Sequence, residues 1–232
     1  MAVWTRFGDL FSAATTEAFT SVVERVKIAF AGDALTRRQV AFSVAMIALS
    51  AKMAKADGVV TADEVTAFRE IFHIPEQEGA NVARLYNLAK QDVAGFESYA
   101  QQVVRLFPGD EEILEDVMDG LFHIAKADGL LHEREMGFLD QVAGIFGLAK
   151  RTYRRIKARH VAAAGADPFE ALGAERGWDD DTLKSHYRQL VRDNHPDRLI
   201  ARGVPEEFVS IANDRLAAIN EAWEKVSAER GL

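Results

Sequence analysis

The sequence predicts an all-α protein of two helical units, and three observations carry that expectation. Apolar residues recur at three- and four-residue steps through the segments around 4–30, 36–56, 183–191 and 211–226. The run Ala-Lys-Ala-Asp-Gly occurs at Ala54 and again at Ala125, 71 residues on, each time followed by a helix-start signature. Near the C-terminus, His195-Pro196-Asp197 separates two amphipathic helical stripes.

The first stripe comprises residues 1–33. Trp4, Phe7, Phe11, Ala14, Ala18, Val22 and Val26 step at helical spacing, and Leu10, Phe19, Val23 and Phe30 widen the face. Arg6, Asp9, Glu17, Glu24 and Lys27 keep it from reading as a membrane span, and Gly32-Asp33 ends it. Three placements stay open: against the following domain, at a membrane surface, or in a homodimer interface.

Residues 34–161 contain the repeat. Thr36, with Gln39 three residues on and Leu35/Val40 flanking, has the pattern of a capping box with its hydrophobic staple. The helix it starts runs through Phe42, Ile47 and Leu49 to the Asp57-Gly58 turn. Val60-Thr61-Ala62-Asp63-Glu64-Val65 then repeats the pattern. In the second copy a helix from about Glu111 reaches Asp128-Gly129, and His132 with Glu135 opens the next. Pro75 and Pro108 mark breaks, so the segment reads as pseudo-twofold and helical.

Residues 162–166, rich in alanine with Gly165, form the expected linker. Asp167-Pro168 opens the segment 167–232, with proline suited to the first helical turn. Asp179, with Leu183 four residues later, caps the next helix. Its stripe is Leu183, Tyr187, Leu190 and Val191; Ile211, Leu216, Ile219, Ala222, Trp223 and Val226 form that of the last helix. Pro196 lacks an N–H and biases His195 away from helical geometry, so the first of the pair stops there. The expected result is an antiparallel pair with an exposed acid and imidazole at its tip.

Composition narrows the function. A chain of 232 residues, nearly half of them apolar, suits two domains with packed cores. The absence of cysteine excludes a disulfide scaffold and cysteine-ligated zinc. A net charge of -8 disfavours nucleic acid as a partner. The basic run Lys150, Arg151, Arg154, Arg155, Lys157 and Arg159 reads as a solvated helix face. No uninterrupted apolar stretch is long enough to span a membrane, and no signal peptide opens the chain, so a cytoplasmic location is expected. No nucleophile–base pairing and no phosphate loop is visible, which points to a binding protein rather than an enzyme.

Four blocks in order, Asp167-Pro168-Phe169-Glu170-Ala171-Leu172-Gly173, Tyr187-Arg188-Gln189-Leu190, His195-Pro196-Asp197 and Ile219-Asn220-Glu221-Ala222-Trp223, resemble a J domain of the DnaJ family. The repeated Ala-Lys-Ala-Asp-Gly followed by a glutamate resembles the TerB-like domain of tellurite-resistance proteins. Together, over residues 34–232, the chain is similar to DjlA-type co-chaperones. Those begin with a membrane-spanning segment, whereas this sequence has the charged amphipathic stretch, so peripheral membrane contact stays open.

The resemblance implies docking on a DnaK-type chaperone and stimulation of its ATP hydrolysis. His195, Pro196 and Asp197 would form the contact, and Lys184, Arg188 and Arg192 the positive docking row. Gln189, Asp193 and Asn194 depart from the family's usual residues there, which implies weaker or more selective docking. The TerB-like domain would provide localisation, dimerisation or client choice. Asp57, Glu64, Asp128 and Glu135 are the candidate ligands for a weak divalent cation. An EF-hand is excluded because Met53, Lys55, Ile124 and Lys126 occupy its first ligand positions. The competing reading makes Asp-Gly helix punctuation and each glutamate a capping partner. An alternative function is a stress- or metal-responsive acidic binding protein of the tellurite-resistance type.

Overall fold

The computed structural model describes residues 33–57, 79–91, 95–126, 131–160 and 167–232, together with Glu24 and Ile28. Among these there are helices and no strands. The amphipathic reading of residues 1–33, apart from Glu24, Ile28 and Asp33, falls outside the described residues, as do the first copy of the repeated turn with Glu64, the turn at Asp128 and the linker 162–166.

The central element is α1 (Ala34–Asp57). From Val40 to Leu49 every residue is buried, so the helix has no solvent face over that span. Its buried hydroxyls are satisfied within the helix: Ser43 Oγ donates to the Gln39 carbonyl at 3.1 Å and Ser50 Oγ to that of Met46 at 2.6 Å. Buried Lys52 lies 4.2 Å over the Tyr99 ring. The start of α1 differs from the sequence expectation. Asp33, not Thr36, is the cap: its carboxylate accepts from the Thr36 N–H at 3.0 Å and from the Thr36 hydroxyl. A carboxylate three residues upstream captures the threonine as a donor and extends the helix by its first turn.

Around α1 pack α2 (Gly79–Gln91), α3 (Phe96–Leu106), α4 (Glu111–Ala125) and α5 (Glu133–Phe146), while α6 (Lys150–His160) lies on α4. Asp110 caps α4 by accepting from the Ile113 N–H, and Pro108 falls in the turn between α3 and α4. Gly120 sits where α4 meets α1 and the last helix. A Cβ there would come within 2.7 Å of Met46 Cε and 3.1 Å of Ile211 Cδ1, so glycine permits the close approach.

The C-terminal part contains α7 (Pro168–Leu172), α8 (Asp180–Asp193), α9 (Pro196–Arg202), a 3-10 turn (Glu206–Phe208) and α10 (Val209–Arg230). Asp167 caps α7 with Pro168 in the first turn, and Asp179 caps α8 through the Thr182 N–H at 2.8 Å, as the sequence predicts. The helices α8 and α10 run antiparallel. Arg230 pairs with Asp180 near one end, Tyr187 stacks on Trp223 at 4.5 Å in the middle, and Arg215 meets Asn194 at the other end.

Two buried clusters result. Phe169, Leu172, Leu183, Ile219, Ala222 and Val226 form the smaller one. Leu199, Val204, Phe208, Ile211 and Ala212 belong instead to the cluster built on α1, with Phe208 edge-on to Phe42 at 5.1 Å. The division expected at 162–166 therefore does not by itself partition the packing. The helix α10 crosses from one cluster to the other, and buried Arg215 stands at the crossover. Gly203, at φ 108°, lets the end of α9 pass Arg38, whose Cβ would lie 2.5 Å from a Cβ at this position.

Candidate functional site

The His-Pro-Asp turn is built by one helix ending and another starting. The helix α8 stops at Asp193, where the Asn194 backbone N–H and side-chain Nδ2 both donate to the Leu190 carbonyl, at 3.0 and 2.7 Å. His195 is extended (φ −66°, ψ 137°) and caps α9: its Nδ1 accepts from the Asp197 N–H at 3.2 Å. An accepting Nδ1 leaves Nε2 as the protonated, donating nitrogen. Pro196 takes the first helical position, where an N–H would have no helical partner. The His195 side chain is 54% exposed and that of Asp197 87%, so both are open to a partner. The turn is the start of a short helix rather than a free loop.

On α8, Arg188 and Arg192 are exposed and Lys184 is half-buried, the three separated by four residues each. Gln189 and Asp193 have a local task. Arg192 donates to Gln189 Oε1 and Gln189 Nε2 to Asp193, both at 2.6 Å, and Asp193 pairs with Arg198 beyond the tripeptide. This chain of side chains closes the turn. Tyr187 and Trp223, stacked and half-buried, support it from the α8–α10 seam.

Beneath the turn lies a charged junction. Arg215 donates through Nε to Asp119 at 2.8 Å and through Nη1 to Asp116 at 2.7 Å, and all three side chains are buried. The same Nη1 reaches Asn194 Oδ1 at 3.2 Å. Arg202, ending α9, pairs with Asp116 at 3.1 Å and Glu112 at 3.2 Å. Arg159 and His160 approach Asp119 at 3.8 and 3.2 Å, and His160 stacks on Phe122. A cavity of about 530 Å³ opens here, with Glu112, Glu115 and Arg155 on one side and Asp193, Arg198 and Arg202 on the other.

The two aspartates respond differently to this setting. Burial pushes the Asp119 carboxyl up, but the charges of Arg215 and His160 outweigh it and hold it well below the ordinary carboxylate range. For Asp116 burial wins over Arg215 and Arg202, and its affinity for a proton is raised. Burial also lowers Arg159 to about 10 against the pull of Asp119. Arg215 itself is opposed by burial, yet Asp119 and Asp116 keep it charged, above the usual arginine value.

Sequence reasoning missed this junction. The available signal is the pair Asp116 and Asp119 inside the apolar run Ile113, Leu114, Val117, Met118 and Leu121, where charge has no solvent face. The basic run of α6 is a solvated face at Lys150, Arg151 and Arg154, whereas Arg155 and Arg159 are turned inward. Arg151 donates to the Gly173 carbonyl at 2.8 Å, Arg154 lies 3.7 Å from Glu170, Arg155 pairs with Glu115 at 2.9 Å and Lys157 reaches Asp140 at 4.0 Å. These residues tie α6 to α4, α5 and α7.

Of the candidate cation ligands, Asp57 is the last residue of α1 with a side chain outside the described residues, as Glu64 and Asp128 are altogether. Glu135 accepts from the His132 N–H at 2.9 Å, the reach-back of a capping box. Among the described residues no group of three or more acidic, histidine or cysteine side chains could hold a metal ion. Glutamine can make the same reach-back, so Glu135→Gln is expected to lower stability by less than about 1 kcal/mol in urea unfolding. A larger loss, with a divalent-cation stabilisation that the parent shows and the variant lacks, would assign the glutamate to a metal instead.

Residues 43–158, which include all of α4 and α6 as far as Ala158, match the family model described as tellurite resistance protein TerB. The chain belongs to that family. Co-chaperone protein DjlA of Photobacterium profundum is 26% identical over 221 residues, covering 84% of this chain and 80% of the relative. The DjlA of Shewanella oneidensis is 25% identical over 87% of this chain and 82% of its own, and that of Aliivibrio fischeri 23% over 87% and 83%. These similarities extend well beyond the TerB match. No solved structure gives a significant match. No helix among the described residues is long and apolar enough to cross a membrane.

Proposed function

We propose that this chain is a co-chaperone whose segment 167–232 is a J domain that docks on a DnaK-type chaperone and stimulates its ATP hydrolysis. The observation that carries the reading is the exposed His195-Pro196-Asp197 turn at the end of α8, beside its Lys184, Arg188 and Arg192 row, in a chain similar over most of its length to DjlA co-chaperones. The exposed Asp197 carboxylate, 3.6 Å from His195 Nδ1, can form a charge-assisted hydrogen bond with a partner cation, and the closed turn loses little entropy on docking. A docking partner accelerates hydrolysis only by favouring the hydrolysing conformation, so the contact must be stronger in that state. The TerB domain then contributes localisation, dimerisation or client choice in the cytoplasm, with residues 1–33 as a peripheral membrane or dimer contact.

The deciding experiment is single-turnover ATP hydrolysis by a DnaK-type chaperone with and without the full chain. Acceleration is expected, and its absence at saturating chain ends the reading. Half-maximal stimulation should need more protein as salt rises, because exposed charges are screened over about 8–10 Å at 0.1–0.15 M salt. Lys184→Ala with Arg188→Ala should weaken docking and flatten that dependence. Salt-independent docking untouched by the pair would move the interface away from α8.

Membership of the TerB family favours a second reading, an acidic protein responsive to metal or stress. A saturable rise in melting temperature with calcium, magnesium or zinc would support it.

A further inference from the structure

We propose that Asp116 and Asp119 of the TerB domain set the position of the His-Pro-Asp turn by way of Arg215 and Asn194, which makes Arg215 and Asn194 positioning residues for docking. The proposal rests on the co-chaperone reading for its functional half and on geometry alone for its structural half.

The helix α9 is held at both ends by α4. At its exit, Arg202 pairs with Asp116 and Glu112, and its carbonyl accepts from Arg38 Nε at 2.6 Å. At its entry, immediately before His195, the link to α4 is Asn194 Oδ1 on Arg215 Nη1. The Asn194 amide can point only one way. Nδ2 must face the Leu190 carbonyl, which cannot donate, and Oδ1 must face Arg215, which cannot accept. Arg215 in turn has no freedom to drift: two of its nitrogens are committed to buried carboxylates on one face of α4. A guanidinium can bridge three partners in fixed geometry, whereas an ammonium on a flexible stem would not hold the same fork. The residue that ends α8 is thus registered to the TerB core through Arg215, which lies 96 and 99 residues from the two aspartates that anchor it. Position is the property transmitted, because His195 and Asp197 themselves remain exposed.

The test is a cycle in the full chain of Asn194→Ala, Arg215→Lys and the double variant, with two readouts. The first is amide hydrogen exchange at His195, Asp197 and Arg198, which needs no partner. The second is the chain concentration giving half-maximal acceleration of a DnaK-type ATPase. Each single change is expected to speed exchange by about tenfold, the size of one hydrogen bond to a charged group. The double should fall short of the sum of the singles, since the two changes share the Asn194–Arg215 contact. Half-maximal concentration should rise in the same order while maximal acceleration stays put. Unchanged exchange in Asn194→Ala, whose fold does not depend on the buried charges, overturns the proposal, and so do additive effects in the double. Faster exchange with an unmoved half-maximal concentration overturns its functional half. If the parent chain accelerates nothing, the co-chaperone reading fails and the exchange cycle alone decides the positioning.

Discussion

Asp197→Asn in the full chain is expected to bring accelerated ATP hydrolysis by a DnaK-type chaperone down to the unstimulated rate. The side chain is 87% exposed and caps nothing, so unfolding free energy should stay within about 0.5 kcal/mol of the parent. Loss of activity without loss of stability separates a contact residue from a structural one. His195→Gln should abolish stimulation as well, at a somewhat larger structural cost. His195 Nδ1 caps α9, and a lost cap is worth about 1 kcal/mol. Single-turnover hydrolysis paired with urea unfolding measures both. Normal stimulation by both variants would mean that the exposed turn is an inter-helix connection and nothing more.

Arg215→Ala is expected to cost the fold about 3–5 kcal/mol at neutral pH, because it leaves Asp116 and Asp119 buried without their main partner. That loss should depend on pH in a defined direction. In the parent, Asp119 sits below its unfolded value, so its stabilisation is present above that value and lost as pH falls through the folded one. Without Arg215, burial dominates and both carboxyls shift upward. A raised carboxyl has the opposite sign: its stabilisation is present below the unfolded value and lost as pH rises. The gap between parent and variant should therefore narrow from pH 7 toward about pH 4, as the variant's acids take up protons. Urea unfolding across that range checks it, and a gap that is small at pH 7 or widens on acidification would show that the junction does not hold the two parts together.

The described helix starts show where sequence suffices. Asp167 with Pro168, Asp179 with Thr182, and His132 with Glu135 were all legible, because a cap and its donor lie within one turn of each other. The start of α1 misled for the same local reason. Asp33 and Thr36 are both competent caps, and the carboxylate, one turn upstream, took the threonine as its donor. The exposed turn was equally readable, since proline and a preceding capping residue stop and restart a helix wherever they occur.

The sequence by itself determined the all-α class, the caps at Asp167, Asp179 and His132, and an exposed acid and imidazole at the end of a helix with a row of basic residues. Only the tertiary structure decided what Arg215, Asp116 and Asp119 do, and which cluster the segment from Leu199 to Ala212 joins. On α4 two aspartates among apolar residues signal a buried charge but not what neutralises it, and Arg215 looks like a surface arginine. Their energies depend on being taken out of water together, and burial is set by where distant helices cross, not by the residues on either side.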